Sequence, residues 1–373
     1  MSLSRRTFVA AAASLAIAPG FVRRAQAVET RAAGPTPAER EKAIARGIEY
    51  LRTKGQKPDG SFTAMAGPGI TALVATSLMR CGLTPDDPLV AKSLDYLKTF
   101  VHDDGGIYKD GSHLGNYETC LALVCFAAAN KDKRYDDLIK KAEAHIKGRQ
   151  FAGQPEDLNY GGVSYGKEGR PDLSNTSFLM EALQAAGNDK DDEAVKRALV
   201  FISRCQNLET EHNTTKFSAK NPDGGFYYSV AGEGSSPAGK TDNGGLRSYA
   251  SMTYAGLKSM VFAGLKADDP RVAAATKWIK DNYTLDANPG LGDAGLYYYY
   301  MLFARALDAL GQDEFIDSKG TAHNWRDDLA AALIARQGAD GSWTNKNGKW
   351  FEGDPNLSTG FALMALSHCA GKK

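Results

Sequence analysis

Two kinds of apolar pattern alternate along the chain after residue 40. In the first, apolar residues recur every three or four positions and charged residues occupy the other sides, as at Ala43, Ile44, Gly47, Ile48 and Leu51. This spacing predicts an amphipathic helix with one side in water. In the second, as at residues 70–79, nearly every position is apolar, which predicts a helix buried on all sides.

These two patterns form a unit that recurs about six times, with a turn of the type Asp-Gly-(Gly/Ser)-aromatic between the helices. Clear turns lie at residues 59–62, 104–108, 223–227 and 340–343, and weaker copies at 160–163 and 293–297. After the first unit, the predicted amphipathic helices are 89–100, 138–150, 193–206, 272–283 and 325–337. The predicted buried helices are 118–129, 175–186, 248–263, 297–310 and 358–369.

The alternation of amphipathic and fully buried helices predicts two concentric rings. An open array of hairpins would expose apolar helices at both ends, and neither terminal unit has a polar outer surface that would cap it. Closing the array removes both ends. The predicted fold is therefore all-α, an (α/α)6 toroid over residues 40–373, preceded by a linker at residues 28–39.

The first 27 residues have the features of a twin-arginine signal peptide. Arg5 and Arg6 precede a weakly apolar, alanine-rich stretch, and residues 25–27 offer small side chains for cleavage. Export to the periplasm or beyond is the expectation. Removing this segment takes away four arginines and no acidic residue, so the net charge falls from +1 to −3, which argues against a nucleic-acid partner. No later stretch is apolar for long enough to span a membrane.

At its turns the sequence resembles the squalene-hopene cyclase and protein prenyltransferase β-subunit superfamily. Residues 333–343, with Gln337, Gly341 and Trp343, match the Gln…Gly-x-Trp repeat of triterpene cyclases, and residues 56–62 are a shorter copy with Phe62 in place of Trp. The resemblance implies a terpenoid cyclase toroid with a central cavity for an isoprenoid-like apolar ligand. Physically, the amide caps free helix ends and the aromatic ring fills the seam between hairpins.

The resemblance also implies where chemistry would lie. Cyclases of this family carry an Asp-x-Asp-Asp-Thr acid motif at the start of an inner helix, and the counterpart here is residues 172–176, with Ser174 and Asn175 in place of the later acids. The standard acid motif is therefore absent. Asp172 and Glu118, the carboxylates at inner-helix starts, are the candidate catalytic residues, with helix capping as the structural alternative.

Prenyltransferases of the superfamily hold zinc with Asp, Cys and His. The corresponding stretch, residues 292–301, supplies Asp293 but no nearby Cys or His, so we expect no metal and no cofactor. Polar and aromatic residues in the first turns of inner helices are the candidate ligand-binding positions: Asn175, Thr176, Tyr249, Tyr254, Asp293, Tyr297, Tyr298 and Tyr300. Packing and capping are the alternative roles for these side chains.

Three functions remain open from the sequence. The favoured one is an exported cyclase-like or prenyltransferase-like toroid that binds or transforms an isoprenoid-like molecule, with peripheral membrane contact. The second is a non-catalytic envelope toroid that binds a glycan, a peptide or a partner protein. The third is a carbohydrate-active (α/α)6 enzyme, which would need two carboxylates in the cavity. A polar insertion at residues 207–245 lies on the turn side, where it could cover the mouth of a cavity.

Overall fold

The computed structural model describes residues 34–370. The predicted signal peptide and the first half of the predicted linker, residues 28–33, lie outside these residues. The described chain contains the helices α1 Pro37–Tyr50, α2 Pro68–Arg80, α3 Pro88–Lys98, α4 Gly115–Ala129, α5 Asp136–Gly148, α6 Leu173–Ala185, α7 Glu193–Arg204, α8 Ala250–Phe262, α9 Pro270–Asp281, α10 Leu296–Leu310, α11 Trp325–Arg336 and α12 Pro355–Cys369. A short antiparallel hairpin, β1 Glu314–Ile316 and β2 Ala322–Asn324, joins α10 to α11.

Several outer helices begin at caps that the sequence encodes. At α1, Thr36 Oγ1 accepts from the Glu39 N–H at 3.2 Å while Glu39 Oε2 accepts from the Thr36 N–H at 2.8 Å, a reciprocal capping box. Asp87 and Asp269 cap α3 and α9 directly before a proline, whose missing N–H is no loss in the first turn of a helix. These helices start where the capping pattern predicts.

The even-numbered helices form a buried inner ring and the odd-numbered helices an amphipathic outer ring. Each inner helix packs against the next one, from α2 through α4, α6, α8 and α10 to α12, and α12 packs against α2. In the outer ring, α11 contacts α1. The array of hairpins is therefore closed, and the predicted (α/α)6 toroid is confirmed.

A glutamine at the end of four outer helices joins one hairpin to the next. Its Nε2 group donates both to the carbonyl of the turn glycine and to a carbonyl of the following outer helix. The bonds to the following helix are Gln56 to Leu89 (2.7 Å), Gln150 to Ala194 (2.9 Å), Gln206 to Arg271 (2.8 Å) and Gln337 to Ala43 (2.9 Å). Because Gln337 reaches back to α1, the same device that links successive hairpins also closes the ring.

A buried threonine holds the turn inside each of five hairpins. The N–H of the apolar turn residue donates to the hydroxyl of a threonine in the inner helix that follows. The pairs are Phe62 with Thr71, Ile107 with Thr119, Val163 with Thr176, Phe226 with Thr253 and Trp343 with Thr359. Each of these buried N–H groups thus has a hydrogen-bond acceptor, as a protein interior without water requires.

The long connection between α7 and α8, residues 205–249, lies against the start of α6. The Tyr228 carbonyl accepts from the Leu173 N–H at 2.8 Å, and Ser229 Oγ donates to the Pro171 carbonyl at 2.6 Å. The predicted insertion therefore contributes to the end of the toroid at which the inner helices begin. Within residues 34–370, every helix is too short or too polar to cross a membrane.

Candidate functional site

Asp172 lies at the start of α6 and caps this helix. Its Oδ1 accepts from the Asn175 N–H at 2.8 Å, and its Oδ2 accepts from Asn175 Nδ2 at 2.7 Å. Asp172 is only 2% exposed, and burial raises the pKa of its carboxyl group to about 6, while the bonds from Asn175 and the Tyr228 hydroxyl act in the opposite direction. Asn175 Oδ1 is buried without a partner among the described residues. This pair therefore offers one proton-exchanging group and one unused acceptor.

Two tyrosines from outside the inner ring lie beside Asp172. Tyr165 belongs to the turn before α6, and Tyr228 belongs to the long connection. Burial raises the pKa of both hydroxyls, and the negative charge of Asp172 raises it further. Tyr165 is 38% exposed and so forms the water-facing edge of the group.

Aromatic side chains from four inner helices meet on the axis of the toroid below these tyrosines. The ring centroids are 5.0 Å apart for Tyr117 and Phe178, 6.2 Å for Phe178 and Tyr298, and 5.7 Å for Tyr298 and Phe361. The Tyr298 hydroxyl lies 2.9 Å from Ser174 Oγ, a contact that joins α6 to α10 across the axis. We call the whole group the α6 mouth; its members are Tyr117, Tyr165, Asp172, Ser174, Asn175, Phe178, Tyr228, Tyr249, Tyr298 and Phe361.

Tyr249, the residue before α8, completes this group. It is 3% exposed, and burial raises the pKa of its hydroxyl, with smaller contributions from Tyr298 and Asp172. The structure thus brings together four residues nominated from the sequence: Asp172, Asn175, Tyr249 and Tyr298.

Three other nominated tyrosines lie away from the mouth. The Tyr254 ring packs 5.1 Å from Phe303, on the side of the inner ring that faces the outer helices. The Tyr297 hydroxyl donates to the Thr344 carbonyl at 3.4 Å, and the Tyr300 hydroxyl donates to the Leu285 carbonyl. These side chains join the start of α10 to neighbouring loops.

The remaining nominated residues hold turns. Glu118 is 1% exposed and accepts from the Lys109 N–H and from Ser112 Oγ, both at 3.1 Å, while burial raises the pKa of its carboxyl group. Thr176 makes the turn contact that recurs in four other hairpins. Asp293 is exposed in the turn before α10. Within residues 34–370, no three His, Cys, Asp or Glu side chains are grouped so that they could hold a metal ion.

A second polar group lies on the axis, nearer the other ends of the inner helices. Glu181 of α6 forms ion pairs with Lys258 of α8 and Arg305 of α10. None of these three residues was predicted from the sequence. The sequence does show that each is a single charged residue within an apolar stretch of a buried helix. A buried charge of this kind needs an oppositely charged partner or has a function.

Comparison with known proteins identifies the fold. The family model of the squalene-hopene cyclase C-terminal domain matches residues 62–231, whereas no curated protein matches the sequence. Among solved structures, the type II terpene cyclase MstE from Scytonema is 16% identical with a TM-score of 0.54, over 90% of this chain and 99% of that one. A variant of the same enzyme in complex with geranylgeranyl dihydroxybenzoate gives a TM-score of 0.55 at 16% identity, over 89% and 97% of the chains.

A glycosyl hydrolase of family 88 from Bacteroides vulgatus is also similar. It is 12% identical with a TM-score of 0.56, over 90% of this chain and 99% of that one. Identities this low show a shared fold and leave the activity open. The family model and the cyclase neighbours together confirm the resemblance to the terpenoid cyclase toroid superfamily.

Proposed function

We propose that this terpenoid cyclase-like toroid binds an isoprenoid-like apolar ligand in the α6 mouth and that Asp172 exchanges a proton there. The observation that carries the proposal is the position of Asp172. It is a buried carboxyl group with a pKa of about 6, set beside aromatic side chains and an amide oxygen without a partner. Such a group is half protonated at a pH of about 6, so it exchanges its proton within reach of neutral pH, which suits a general acid or base.

Proton-initiated cyclisation of a simple alkene is not the chemistry we propose. Ser174 and Asn175 stand where the cyclase motif has acids, and Ser174 bonds the Tyr298 hydroxyl. A carboxyl group with a pKa near 6 is a weak acid. It suits a ligand with a centre that accepts or releases a proton more readily than a simple alkene does, such as a carbonyl group or an activated alkene.

Exposed apolar side chains lie at the same end of the toroid as the α6 mouth and support an apolar ligand. All inner helices run in the same direction, so the loops before them share one end of the toroid. Those loops carry Met65, Leu114, Tyr165, Trp350 and Phe351, which are between 37% and 79% exposed. An apolar rim of this kind favours entry from a lipid surface. Export to the periplasm and peripheral membrane contact belong to the same proposal.

The second candidate is a carbohydrate-active enzyme, favoured by the likeness to the glycosyl hydrolase of family 88. Glycoside hydrolysis ordinarily uses two carboxyl groups that flank the bond to be cleaved. Of the other deeply buried carboxylates near inner-helix starts, Glu118 accepts from the Lys109 N–H of its own turn, whereas Glu352 accepts from Asn345 Nδ2 and from the backbone N–H of Tyr298 in α10. Asp172 is the carboxylate that lies beside the mouth side chains Tyr165 and Tyr228, and this favours the apolar ligand.

Purification of the protein from its own cell envelope, followed by native mass spectrometry and lipid extraction, tests the ligand. We expect a co-purifying isoprenoid. Turnover of isoprenoid substrates should then be lost in Asp172→Asn and kept in Glu118→Gln, a matched loss of a buried carboxyl charge. Asn is a good N-cap, so the first variant retains the start of α6. A protein without bound lipid that cleaves a glycoside instead would establish the second candidate.

A further inference from the structure

The axial cluster of Glu181, Lys258 and Arg305 has a surplus of hydrogen-bond donors. Arg305 uses one N–H on Glu181 and one on the Met364 sulfur at 3.5 Å, and Lys258 donates to Glu181. A guanidinium carries five N–H groups and an ammonium three. Within residues 34–370 the other N–H groups of both cations have no partner in the protein.

The cluster side chains are not fully enclosed. They stand inside the ring of inner helices, yet each keeps 11–12% of its surface accessible. Arg80, at the end of α2, lies close enough for the positive charge of Arg305 to add to burial in lowering its pKa. Arg80 also lines a cavity of about 170 Å³ at this end of the toroid.

The cluster is also positively charged. Lys258 and Arg305 face one carboxylate, and burial together with the positive charge of Arg305 lowers the pKa of Lys258 well below its ordinary value. Arg80 of α2 adds a further positive charge, which Asp308 offsets in part. Arg326 and His368 bond Asp308 at 2.7 and 3.0 Å. Burial lowers the pKa of His368 to about 4, so this side chain is neutral at pH 7.

Helix dipoles explain only part of this charge. The negative end of a helix stabilises cations in its last turn, which accounts for Arg80 at the end of α2. Lys258 and Arg305 stand more than one turn before the ends of α8 and α10. Cations without full compensation are unfavourable in a protein interior.

We propose that this axial cluster binds a small oxyanion, a carboxylate or a phosphate, through Arg305 and Lys258, with Glu181 holding the two cations in place. The forked donors of a guanidinium match the paired oxygens of such groups. The anion is either a free ion or the head group of an amphiphile. None of the three cluster residues belongs to the α6 mouth, so this site is tested independently of the function proposed above.

Isothermal titration of the full-length chain tests the site, with inorganic phosphate and acetate as free anions and dodecanoate and dodecyl phosphate as amphiphiles, at constant ionic strength. We expect saturable binding that Arg305→Met weakens at least roughly tenfold, the usual effect of losing a charge-assisted hydrogen bond. Glu181→Gln should bind several-fold more tightly, because it removes the one competing negative charge. Arg271→Met, the loss of a buried arginine paired with Asp269 elsewhere, is the control and should leave anion affinity unchanged.

The outcomes separate the sources of the anion. Binding of the free anions supports a free-ion site, whereas binding of the amphiphiles alone supports a head-group site. Absence of binding by all four probes overturns the proposal. So does equal affinity in the wild type, Arg305→Met and Lys258→Met, or weaker binding in Glu181→Gln. Should Arg305→Met fail to fold, Arg305→Lys keeps the charge and loses the fork, and is expected to weaken binding as well.

Discussion

At the scale of single residues, two buried groups give opposite pH dependence to stability. The pKa of Asp172 is raised from 3.8 to about 6 in the folded chain, so its contribution to stability falls as pH rises through this window. The pKa of His368 is lowered from 6.5 to about 4, so its contribution rises with pH over nearly the same window. Each shift corresponds to roughly 3 kcal/mol. The two effects therefore largely cancel in the wild type.

A variant that lacks one of these two groups should show the pH dependence of stability that the other group causes. Between pH 4 and pH 6, Asp172→Asn should gain roughly 3 kcal/mol of unfolding free energy relative to the wild type, and His368→Gln should lose about as much. Urea denaturation at a series of pH values measures both differences. Curves that stay parallel to the wild type would show that neither pKa shift exists in the folded protein.

At the scale of the elements, the turn glycines fix the distance between hairpins. Gly341 has a φ of +92°, and a Cβ atom there would lie 2.4 Å from the Arg46 carbonyl oxygen of α1. Gly60, Gly105 and Gly161 are placed in the same way against the next outer helix. Glycine is thus required twice, for its conformation and for the close approach of backbone.

Gly341→Ala should therefore destabilise the protein by roughly 3 kcal/mol or more, through left-handed strain and a backbone clash together. Gly239→Ala is the matched control, because φ is +87° there and nothing lies within 4 Å of the added Cβ. We expect about 1 kcal/mol at Gly239, from strain alone. Equal losses in thermal or urea unfolding would refute the close approach at Gly341.

The elements also show how much of the fold and of the site the sequence predicts. Gln337 and Trp343 belong to a local sequence motif, and this motif predicts the contact between the last hairpin and its neighbour. The alternation of amphipathic and buried helices predicts both rings. Asp172 is predictable as a helix-start carboxylate. Its contacts with Tyr165 and Tyr228 are not, because these tyrosines come from loops that no periodic pattern positions. The axial cluster could not be predicted from the sequence either, because its members lie on three different helices that come together only in the closed ring.

At the scale of the whole molecule, closure makes the junction between the last and the first hairpin equivalent to an internal one. Gln337 bonds Ala43 across the seam where the chain's last hairpin meets the first, and Gln56 bonds Leu89 across an internal seam. Both glutamines are half-buried. In an open array the first of these contacts would not exist.

Gln337→Ala and Gln56→Ala should consequently lower the unfolding free energy by similar amounts, about 1–3 kcal/mol each. Circular dichroism and tryptophan fluorescence should report one coincident transition, because a ring has no ends from which to unfold. A neutral effect of Gln337→Ala beside a costly Gln56→Ala would indicate an open array.

The central claim, that the α6 mouth holds an isoprenoid-like ligand, is tested most directly by calorimetric titration with geranylgeraniol. The account predicts saturable binding of one molecule per chain, weakened roughly tenfold in Tyr228→Ala, which removes an aromatic wall, and unchanged in Tyr254→Phe, a buried tyrosine outside the mouth. Absence of saturable binding, or equal affinity in Tyr228→Ala and the wild type, would contradict it.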